Sequence, residues 1–422
     1  MIKYGLIGEK LTHSFSKEIH EEIGRYDYGL LEIPRTEIGK FLKEKDFKAV
    51  NVTIPYKREV IPFLDEISKE AKAIGSVNCI RNDEGRLIGH NTDFDGLSAL
   101  ADYAGIDMRE KKVLILGTGG TSDTALAVAK MAGASEVYKV SRRAAGSDRV
   151  LGRDEAPVVT YEDARRLCKD AEVIINTTPC GMYPNIFSKA IDLEDFKRLD
   201  GVLDVVYNPL STMLIAQARS MGIKGEGGLY MLVAQAVKAA EFFLSCEYEK
   251  QEIDRIYEKI YKKKLNIVLT GMPASGKTTV GRIIAQRLNR ELIDTDLLIE
   301  KDQNMTISEI FHQFGENYFR DVETRIIKEA AGKTGTVIST GGGAVLRREN
   351  MEALKLSGRI FFRDRDPAAL TPTLDRPKAF NREEIMKRYE ERYDIYVSTA
   401  DHIIKSEETA EEAALEVLEE FK

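Results

Sequence analysis

The chain has 422 residues, about three times the common length of a domain, so two or three globular domains are expected. Charged residues make up 31% and hydrophobic residues 43%, a composition that excludes a largely disordered or fibrous chain. The formal net charge of −7 leaves no global basic field, which argues against a nucleic-acid partner.

The location of the protein can also be predicted from the sequence. No apolar run reaches the length of about 18 residues that a membrane-spanning helix needs, so no membrane partner is expected. The N-terminal MIKYGLIGEK is typical of a strand rather than of a secretory signal. The four cysteines are scattered without a CxxC pair, which fits a reducing compartment and gives no zinc site. We therefore expect a cytoplasmic protein.

The first 262 residues alternate strand-like and helix-like segments. Apolar runs at 4–8, 48–54 and 77–82 predict strands, and residues 16–24 and 36–45 predict helices. This alternation favours an α/β layer with parallel strands. Further strands are predicted at KKVLILG, EVYKVSRR, AEVIINTTP and GVLDVVYNP, with a helix at TALAVAKMAGA. Residues 229–262 predict helix, whose buried face comprises Ile253, Ile256, Tyr257, Ile260 and Tyr261.

A domain boundary is predicted at Lys262–Lys264, because a new strand, NIVLTG, follows abruptly at 266–271. Strands are then predicted at RELIDTD, TVISTGGG, GRIFFRD and ADHIIK, and a closing helix at about 408–421. The second part of the chain is therefore a separate α/β domain.

The segment from Gly271 to Thr278 fits the pattern GxxxxGK[ST], between an apolar strand and a helix. Its backbone N–H groups and the helix N-terminus suit phosphate groups. Lys277 would reach the β- and γ-phosphates, and Thr278 would supply an oxygen ligand to magnesium. A glycine-rich turn that only caps the helix is the weaker alternative.

Three more polar groups follow this loop. Asp294 and Asp296 are predicted to share one face at the end of a strand, where Asp294 suits the second shell of magnesium and Asp296 a substrate hydroxyl. The alternative is a solvated strand end that caps a helix. Arg320 and Glu323 are one helical turn apart, with a surface ion pair as the alternative. The glycines 341–343 would let backbone approach a ligand closely, or form a flexible turn.

These motifs, in this order over about residues 265–421, closely resemble shikimate kinase; gluconate-type kinases share the first motif. The resemblance implies ATP and Mg²⁺ as cofactors and shikimate as the acceptor. It implies magnesium binding by Thr278 and Asp294, and catalysis by Lys277 and Asp296. The further residues implied for ATP are Gly271, Ala274, Ser275, Gly276, Thr279 and the lid residue Arg376; those for shikimate are Asp296, Arg320, Gly341, Gly342, Gly343 and Arg392.

The first half carries a weaker dinucleotide fingerprint. Gly117, Gly119 and Gly120 follow the strand VLIL and open a helix. The next strand ends in Ser141, Arg142 and Arg143, which favours the 2′-phosphate of NADP over NAD; a basic surface strand end is the alternative.

A polar set in the N-terminal region suits a small anionic substrate. Ser14 and Ser16, just before a helix, suit a carboxylate, with simple N-capping by Ser16 as the alternative. Asn51 and Thr53 alternate along a strand and would face one side. A lysine near an aspartate in a cleft can donate and accept a proton; Lys57 and Asp93 are the candidates, although such residues are usually only solvated.

The motifs SxS, NVTxPxK, GxVN, NTD, GxGG, NxTPxGM and MLVxQ resemble shikimate dehydrogenase over about residues 1–262. The resemblance implies the catalytic pair Lys57 and Asp93, and NADP(H) bound by Gly117, Gly119, Gly120, Ser141, Arg142, Arg143 and Gly228. It implies substrate contacts from Ser14, Ser16, Asn51, Thr53, Asn78, Tyr207 and Gln235. The stretch from Asn176 to Met182 would form a wall of the nicotinamide site. Phe94 stands where the family usually has a glycine.

Together the two resemblances predict a bifunctional enzyme that reduces 3-dehydroshikimate and then phosphorylates shikimate. The expected α/β fold comprises a substrate domain at 1–100, completed by helices at about 229–262, a Rossmann-like NADP domain at 101–228, and a P-loop kinase domain with a parallel sheet at 265–422. Two other readings stay open: one half retains ligand affinity without turnover, or the first half oxidises quinate or a related cyclohexane acid. The oligomeric state is also open, with a homodimer as one option.

Overall fold

The computed structural model describes residues 3–11, 15–143, 156–370, 382–405 and 409–421. The chain divides into two compact units, one of Met1–Tyr207 with Thr212–Ile260 and the other of Asn208–Ser211 with Tyr261–Lys422. Across the described ranges, no helix has both the length and the apolar character needed to cross a membrane.

The first unit begins with a six-stranded sheet of order β2-β1-β3-β5-β6-β4. Its strands are β1 Tyr4–Gly8, β2 Tyr28–Glu32, β3 Ala49–Val52, β4 Glu66–Ile67, β5 Cys79–Asp83 and β6 Arg86–His90. The accompanying helices are α1 Ser16–Ile23, α2 Ile38–Glu44, α3 Lys69–Ile74 and α4 Thr92–Tyr103.

The expectation of parallel strands is wrong for part of this sheet, because β5 runs antiparallel to both β3 and β6. Strands β5 and β6 are joined by only two residues, Glu84 and Gly85, with φ of 49° and 90°. Two consecutive positive φ values are typical of a tight hairpin turn, which allows only antiparallel pairing.

The second sheet of this unit has the order β12-β11-β10-β7-β8-β9 and is parallel throughout its described pairs. Its strands are β7 Lys112–Leu116, β8 Glu136–Ser141, β9 Val158–Thr160, β10 Val173–Asn176, β11 Gly201–Asp204 and β12 Lys224–Glu226. The helices are α5 Gly120–Met131, α6 Tyr161–Leu167, α7 Met213–Ser220, α8 Leu229–Leu244 and α9 Lys250–Lys264. This is the expected dinucleotide-type layer, with the phosphate-type turn at the end of β7.

The helical structure predicted over 229–262 is formed by two helices, α8 and α9. Ser245 ends α8 with φ 51° and ψ 47°, a left-handed conformation that an α-helix does not continue through. In α9 four residues of the predicted apolar face, Ile253, Ile256, Tyr257 and Ile260, are buried, whereas the fifth, Tyr261, is only half-buried.

Helix α8 packs against the first sheet although it follows the second sheet in the chain. Its residues Ala239 and Phe243 share a buried core cluster with Leu6, Tyr28 and Ala49. The core of the first sheet is therefore completed by a helix that begins about 140 residues after the end of β6.

The second unit has one five-stranded parallel sheet of order β14-β15-β13-β16-β17. Its strands are β13 Asn266–Thr270, β14 Leu292–Asp294, β15 Val337–Ser339, β16 Gly358–Arg363 and β17 His402–Ile404. The helices are α10 Lys277–Leu288, α11 Thr295–Gln303, α12 Ile307–Ala331, α13 Arg348–Lys355, α14 Arg382–Thr399 and α15 Ala410–Glu420. In open parallel sheets, ligands bind beyond the carboxyl ends of the strands. The predicted phosphate loop, Asp296 and the glycines 341–343 follow β13, β14 and β15 respectively.

Candidate active sites

The first unit contains a cavity of about 260 Å³ lined mainly by polar side chains. The predicted residues that it brings together are Ser16, Asn51, Thr53, Lys57, Asn78, Asp93, Tyr207 and Gln235. These residues come from α1, β3 and its following turn, the β5 and α4 entries, the segment after β11, and α8. Lys10 also lines the cavity and was missed, because a lone lysine in the sequence carries no signal of its own.

Lys57 and Asp93 meet in this cavity. The Lys57 Nζ donates to Asp93 Oδ2 at 2.5 Å, and the side chains are only 27% and 17% exposed. Asp93 lies in the first turn of α4, where the N-terminal end of the helix favours a negative charge. Asn91 caps that helix by accepting from the Asp93 N–H at 3.1 Å, so the carboxylate is held by the helix start.

A buried amide network supports the same cavity. Asn78 Oδ1 accepts from the Thr92 N–H at 2.8 Å, and Asn78 Nδ2 donates to Thr92 Oγ1 at 3.1 Å. The Thr92 hydroxyl in turn lies 3.5 Å from Gln235 Oε1 on α8. Residues more than 140 positions apart are thus fixed against one another by hydrogen bonds shielded from water.

The serine pair is only partly visible, because Ser14 lies outside the described residues. Ser16 is buried at 9% exposure and is the first residue of α1. The alternative of N-capping by Ser16 is wrong, because Phe15 is the cap residue and makes no side-chain cap bond. Ser16 lines the cavity at a helix N-terminus, which suits an anionic group.

The glycine turn after β7 leaves room for a ligand. A side-chain carbon added to Gly119 or Gly120 would meet nothing within 4 Å, whereas one added to Gly117, with φ 112°, would lie 2.9 Å from Thr177 Oγ1. Ser141 ends the adjacent strand β8, and Arg142 and Arg143 follow it on the surface. An open glycine turn at a helix start beside two surface arginines fits NADP.

The predicted nicotinamide wall is anchored by a residue that the sequence reading missed. Asp204, at the end of β11, is fully buried and accepts from Asn176 Nδ2 at 2.9 Å, the Val206 N–H at 3.0 Å and Thr212 Oγ1 at 2.7 Å. Burial raises the pKa of Asp204 to about 7. Asn176 Oδ1 in turn accepts from the Thr178 hydroxyl at 2.6 Å, so one carboxylate organises the segment.

Gly228 lies where no side chain fits, because an added carbon would collide with the backbone of Val205. It directly precedes α8, which carries Gln235. The chain therefore passes close to the end of β11 before it enters the cavity-lining helix.

In the second unit, the loop from Gly271 to Gly276 connects β13 to α10 as predicted. Gly271, Ala274 and Gly276 have positive φ, the conformation that turns backbone N–H groups inward. Lys277 is buried, and its Nζ donates to the carbonyls of Gly271 at 3.0 Å and Met272 at 2.8 Å. The Ser275 hydroxyl is buried with no hydrogen-bond partner among the described residues, which fits a loop built around phosphate oxygens.

Asp294 and Asp296 do not share a strand face, so that part of the prediction is wrong. Strand β14 ends at Asp294, whose Oδ1 caps α11 by accepting from the N–H groups of Asp296 at 3.0 Å and Leu297 at 3.3 Å. Asp296 lies in the first helical turn instead. The alternative of helix capping is correct for Asp294, which also contacts Thr278 in the first turn of α10.

The predicted magnesium ligands are adjacent. The Thr278 hydroxyl donates to Asp294 Oδ2 at 2.6 Å. Mg²⁺ prefers oxygen ligands and is usually bound by one or two carboxylates together with phosphates and waters, so this pair fits the ion. A cluster of three or more histidine, cysteine or acidic side chains arranged for a metal does not occur in the described part of the chain.

A second cavity, of about 390 Å³, lies beyond this loop. The predicted residues that line it are Asp296, Arg320, Glu323, Gly341, Gly342, Gly343 and Arg392. The sequence reading missed an apolar wall and three charged residues, namely Ile307, Phe311, Phe319, Leu346, Glu316, Arg388 and Glu391. Helical spacing on α12 and α14 could have suggested some of them, but the cavity is formed only when the helices meet.

Arg320 and Glu323 form a buried pair, so the surface alternative is wrong. Arg320 Nη1 donates to Glu323 Oε2 at 2.6 Å, and the side chains are 13% and 1% exposed. Burial raises the pKa of Glu323 above its usual value, against the opposing effect of the Arg320 charge. The positive charge of Arg320 is therefore held in the cavity wall by the carboxylate of Glu323.

The three glycines are required by close packing rather than by flexibility. A side-chain carbon on Gly341 would lie 2.5 Å from Asp296 Oδ1, and one on Gly343 would overlap the Arg320 guanidinium. The Gly342 carbonyl accepts from Arg392 Nη1 at 3.0 Å. It also accepts from the buried Tyr396 hydroxyl at 2.5 Å, and burial raises the pKa of Tyr396 to about 12. The predicted lid residue Arg376 lies outside the described residues.

Comparison with known proteins assigns both units. The shikimate dehydrogenase (NADP(+)) of Clostridium beijerinckii is 35% identical over 263 residues, which are 60% of this chain and 96% of that protein. The chain belongs to the shikimate dehydrogenase family. The model of the shikimate dehydrogenase substrate binding domain matches residues 6–80, and the shikimate kinase model matches residues 273–422.

Solved structures of the dehydrogenase family match the same part of the chain. A chorismate mutase/shikimate 5-dehydrogenase fusion protein from Clostridium acetobutylicum is 34% identical with a TM-score of 0.58, over 62% of this chain and 97% of that one. The Thermus thermophilus shikimate 5-dehydrogenase, in complex with NADP(H) and shikimate, is 28% identical with a TM-score of 0.54, over 61% and 99%. The chain is therefore a bifunctional shikimate-pathway enzyme that joins a shikimate dehydrogenase to a shikimate kinase.

Proposed function

We propose that the first unit reduces 3-dehydroshikimate to shikimate with NADPH and that the second phosphorylates shikimate to shikimate 3-phosphate with MgATP. The observation that carries this proposal is the 2.5 Å contact between Lys57 and Asp93 in a cavity lined by neutral amides. The kinase reaction rests on the cavity that joins Asp296 to Arg320 and Arg392.

In the dehydrogenase unit, bound NADPH supplies the hydride. Lys57 protonates the alkoxide that develops on the substrate oxygen, and Asp93 holds the ammonium group in place. Ser14 and Ser16 bind the substrate carboxylate. The remaining contacts to the ring oxygens come from Asn51, Thr53, Asn78, Tyr207 and Gln235, and the NADP contacts from Gly117, Gly119, Gly120, Ser141, Arg142, Arg143 and Gly228.

In the kinase unit, bound Mg²⁺ supplies positive charge to the phosphates of ATP. Thr278 and Asp294 would hold the ion, while Lys277 and Arg376 offset charge on the transferred group. Asp296 orients the 3-hydroxyl of shikimate and accepts its proton. Arg320 and Arg392 bind the shikimate carboxylate in a charge-assisted way, with the 341–343 backbone against the ring. The remaining loop contacts to ATP come from Gly271, Ala274, Ser275, Gly276 and Thr279.

We further propose domain limits of 1–100 with about 229–262 for the substrate domain, 101–228 for the NADP domain and 265–422 for the kinase. A cytoplasmic location is proposed because all four cysteines are free thiols.

The deciding experiment supplies the purified protein with 3-dehydroshikimate, NADPH, ATP and magnesium. NADPH loss is followed by absorbance, and products are identified by mass spectrometry. Shikimate 3-phosphate is the expected product. Accumulated shikimate without phosphate would overturn the kinase assignment, and unchanged NADPH would overturn the dehydrogenase assignment. The same assay started from shikimate then tests the kinase alone.

A further inference from the structure

A buried aromatic cluster lies against Asn51, one of the residues that line the dehydrogenase cavity. His20, on α1, is 1% exposed and stacks on Tyr28 with ring centroids 3.8 Å apart and an interplanar angle of 11°. Phe243 from α8 lies 6.2 Å from the same imidazole, nearly parallel to it. The Tyr26 hydroxyl is 2.7 Å from His20 Nδ1. The ring is therefore fixed by its neighbours.

The charge state of His20 follows from its burial. Burial lowers the pKa of His20 to about 3, so the imidazole is neutral, with one donor and one acceptor nitrogen. A side-chain hydrogen bond with Asn51 acts against that shift. The neutral ring therefore has polar partners in both Tyr26 and Asn51.

The orientation of the Asn51 amide is set by three partners. The Tyr28 hydroxyl donates to Asn51 Oδ1 at 2.7 Å, and His20 contacts the same side chain. Asn51 Nδ2 donates to the backbone carbonyl of Asn78 at 3.3 Å. Because a carbonyl can only accept, rotating the amide by 180° would place Asn51 Oδ1 against the Asn78 carbonyl oxygen and lose that hydrogen bond. The second N–H of Asn51 remains for an acceptor in the cavity.

We propose that His20 and Tyr28 are positioning residues for the dehydrogenase, which fix the Asn51 amide so that it donates a hydrogen bond to an acceptor oxygen of the bound substrate. This inference rests on the proposed reduction of 3-dehydroshikimate. In this inference the Asn51 amide donates to a ketone or hydroxyl oxygen of the substrate. His20 and Tyr28, which lie behind the cavity wall, keep that amide in the orientation that allows it to donate.

The test compares Tyr28→Phe, which removes one donor to Asn51 Oδ1, with Tyr4→Phe, which removes a hydroxyl from the same aromatic cluster. The Tyr4 ring lies 4.5 Å from Tyr26 and serves as the matched control. We expect Tyr28→Phe to raise the KM for 3-dehydroshikimate by about three- to tenfold, the effect of one hydrogen bond, with the KM for NADPH within about twofold. Tyr4→Phe should leave both values unchanged.

Variants of His20 test its contact with Asn51. His20→Gln keeps one donor and one acceptor and should restore most of the substrate KM that His20→Leu loses. The kinase rate of each preparation and its NADP⁺ affinity report whether the chain is folded. If His20→Leu proves unstable, the Tyr28→Phe result decides by itself.

A double-mutant cycle separates positioning from general stability. In an Asn51→Ala background, Tyr28→Phe should change the substrate KM by less than about twofold, because its effect acts through Asn51. An equal effect with and without Asn51, or an equal rise in the KM for NADPH, would overturn the inference while leaving the proposed reaction intact. Failure of the unsubstituted protein to reduce 3-dehydroshikimate would overturn both.

Discussion

Lys57 and Asp93 show how two ordinary charged residues come to form a close, partly buried ion pair. They are 36 positions apart, and neither is distinctive in the sequence. The turn after β3 and the first turn of α4 bring them together at low exposure, where a charge pair interacts more strongly than on the surface.

Replacing Lys57 by alanine should abolish most of the reductase rate, because no proton donor remains for the developing alkoxide. We expect kcat for 3-dehydroshikimate reduction to fall by about 100- to 10,000-fold, with the kinase rate unchanged. Lys40→Ala is the matched control, since Lys40 is an exposed residue of α2 paired with Glu44. Reduction at the normal rate in Lys57→Ala would contradict the assigned role.

Asp204 predicts a dependence of stability on pH. Its pKa rises from 3.8 to about 7 on folding, so the folded state favours the protonated carboxyl. This contribution is fully present below about pH 4 and is lost as the pH rises through 7, in total about 4 kcal/mol at 1.36 kcal/mol per pKa unit. The variant Asp204→Asn should not show this pH-dependent loss of unfolding free energy, because asparagine cannot ionise.

The measurement is chemical denaturation of the dehydrogenase unit at pH 5 and pH 8. The unfolding free energy of the natural protein relative to Asp204→Asn should be larger at pH 5 than at pH 8. Other carboxyl groups titrate in both proteins and cancel in the difference. A difference that stays constant with pH would show that Asp204 remains ionised on folding.

Among the elements, α12 departs most from regular geometry. Gly315 interrupts the helix with φ 81° and ψ 176°. The rings of Phe311 and Phe319, on either side of the interruption, lie 4.6 Å apart. Both rings line the kinase cavity, as does Arg320, so the bend positions part of the cavity wall.

Gly315→Ala should be costly, because this region of backbone conformation is almost restricted to glycine. We expect a loss of about 1–3 kcal/mol in the unfolding free energy of the kinase unit, with a higher KM for shikimate. Gln313→Ala, an exposed change in the same helix, is the control. Unchanged stability and KM in Gly315→Ala would mean that the helix tolerates a straight path here.

The elements also show what can be read from a single sequence. The phosphate loop was predictable, because Gly271 to Thr278 carries its own turn chemistry and lies between a strand and a helix. Asp296 was placed wrongly because the end of a strand and the start of a helix look alike in sequence when the two elements adjoin, as β14 and α11 do. Asp204 was missed because its partners, Asn176 and Thr212, lie 28 and 8 positions from it with no motif to link them, and only burial makes the carboxylate distinctive. The antiparallel β5 could have been inferred from Glu84-Gly85, a short turn signal that the alternating pattern obscured.

The whole molecule comprises two compact units, each with its own sheet system and its own cavity. Such units commonly respond separately to their ligands, since a ligand stabilises only the structure that binds it.

Calorimetry should therefore resolve two unfolding transitions with different ligand responses. NADP⁺ should raise the unfolding temperature of the dehydrogenase unit only, and MgADP that of the kinase unit only. At a hundredfold excess over Kd, each ligand should add about 2.7 kcal/mol to the unfolding free energy of its unit. Lys277→Ala should abolish the response to MgADP and leave the response to NADP⁺. One ligand that shifts both transitions equally would indicate a single cooperative unit.

The position of α8 has a consequence for synthesis on the ribosome. Ala239 and Phe243 complete a core cluster whose other buried members, Leu6, Leu11, Tyr28, Ala49 and Cys79, are translated long before them. The growing chain must therefore keep one face of its first sheet uncovered while the whole second sheet is made. Because exposed apolar surface on incomplete chains promotes aggregation, a pause in translation before residue 244 would leave the nascent protein most in need of a chaperone.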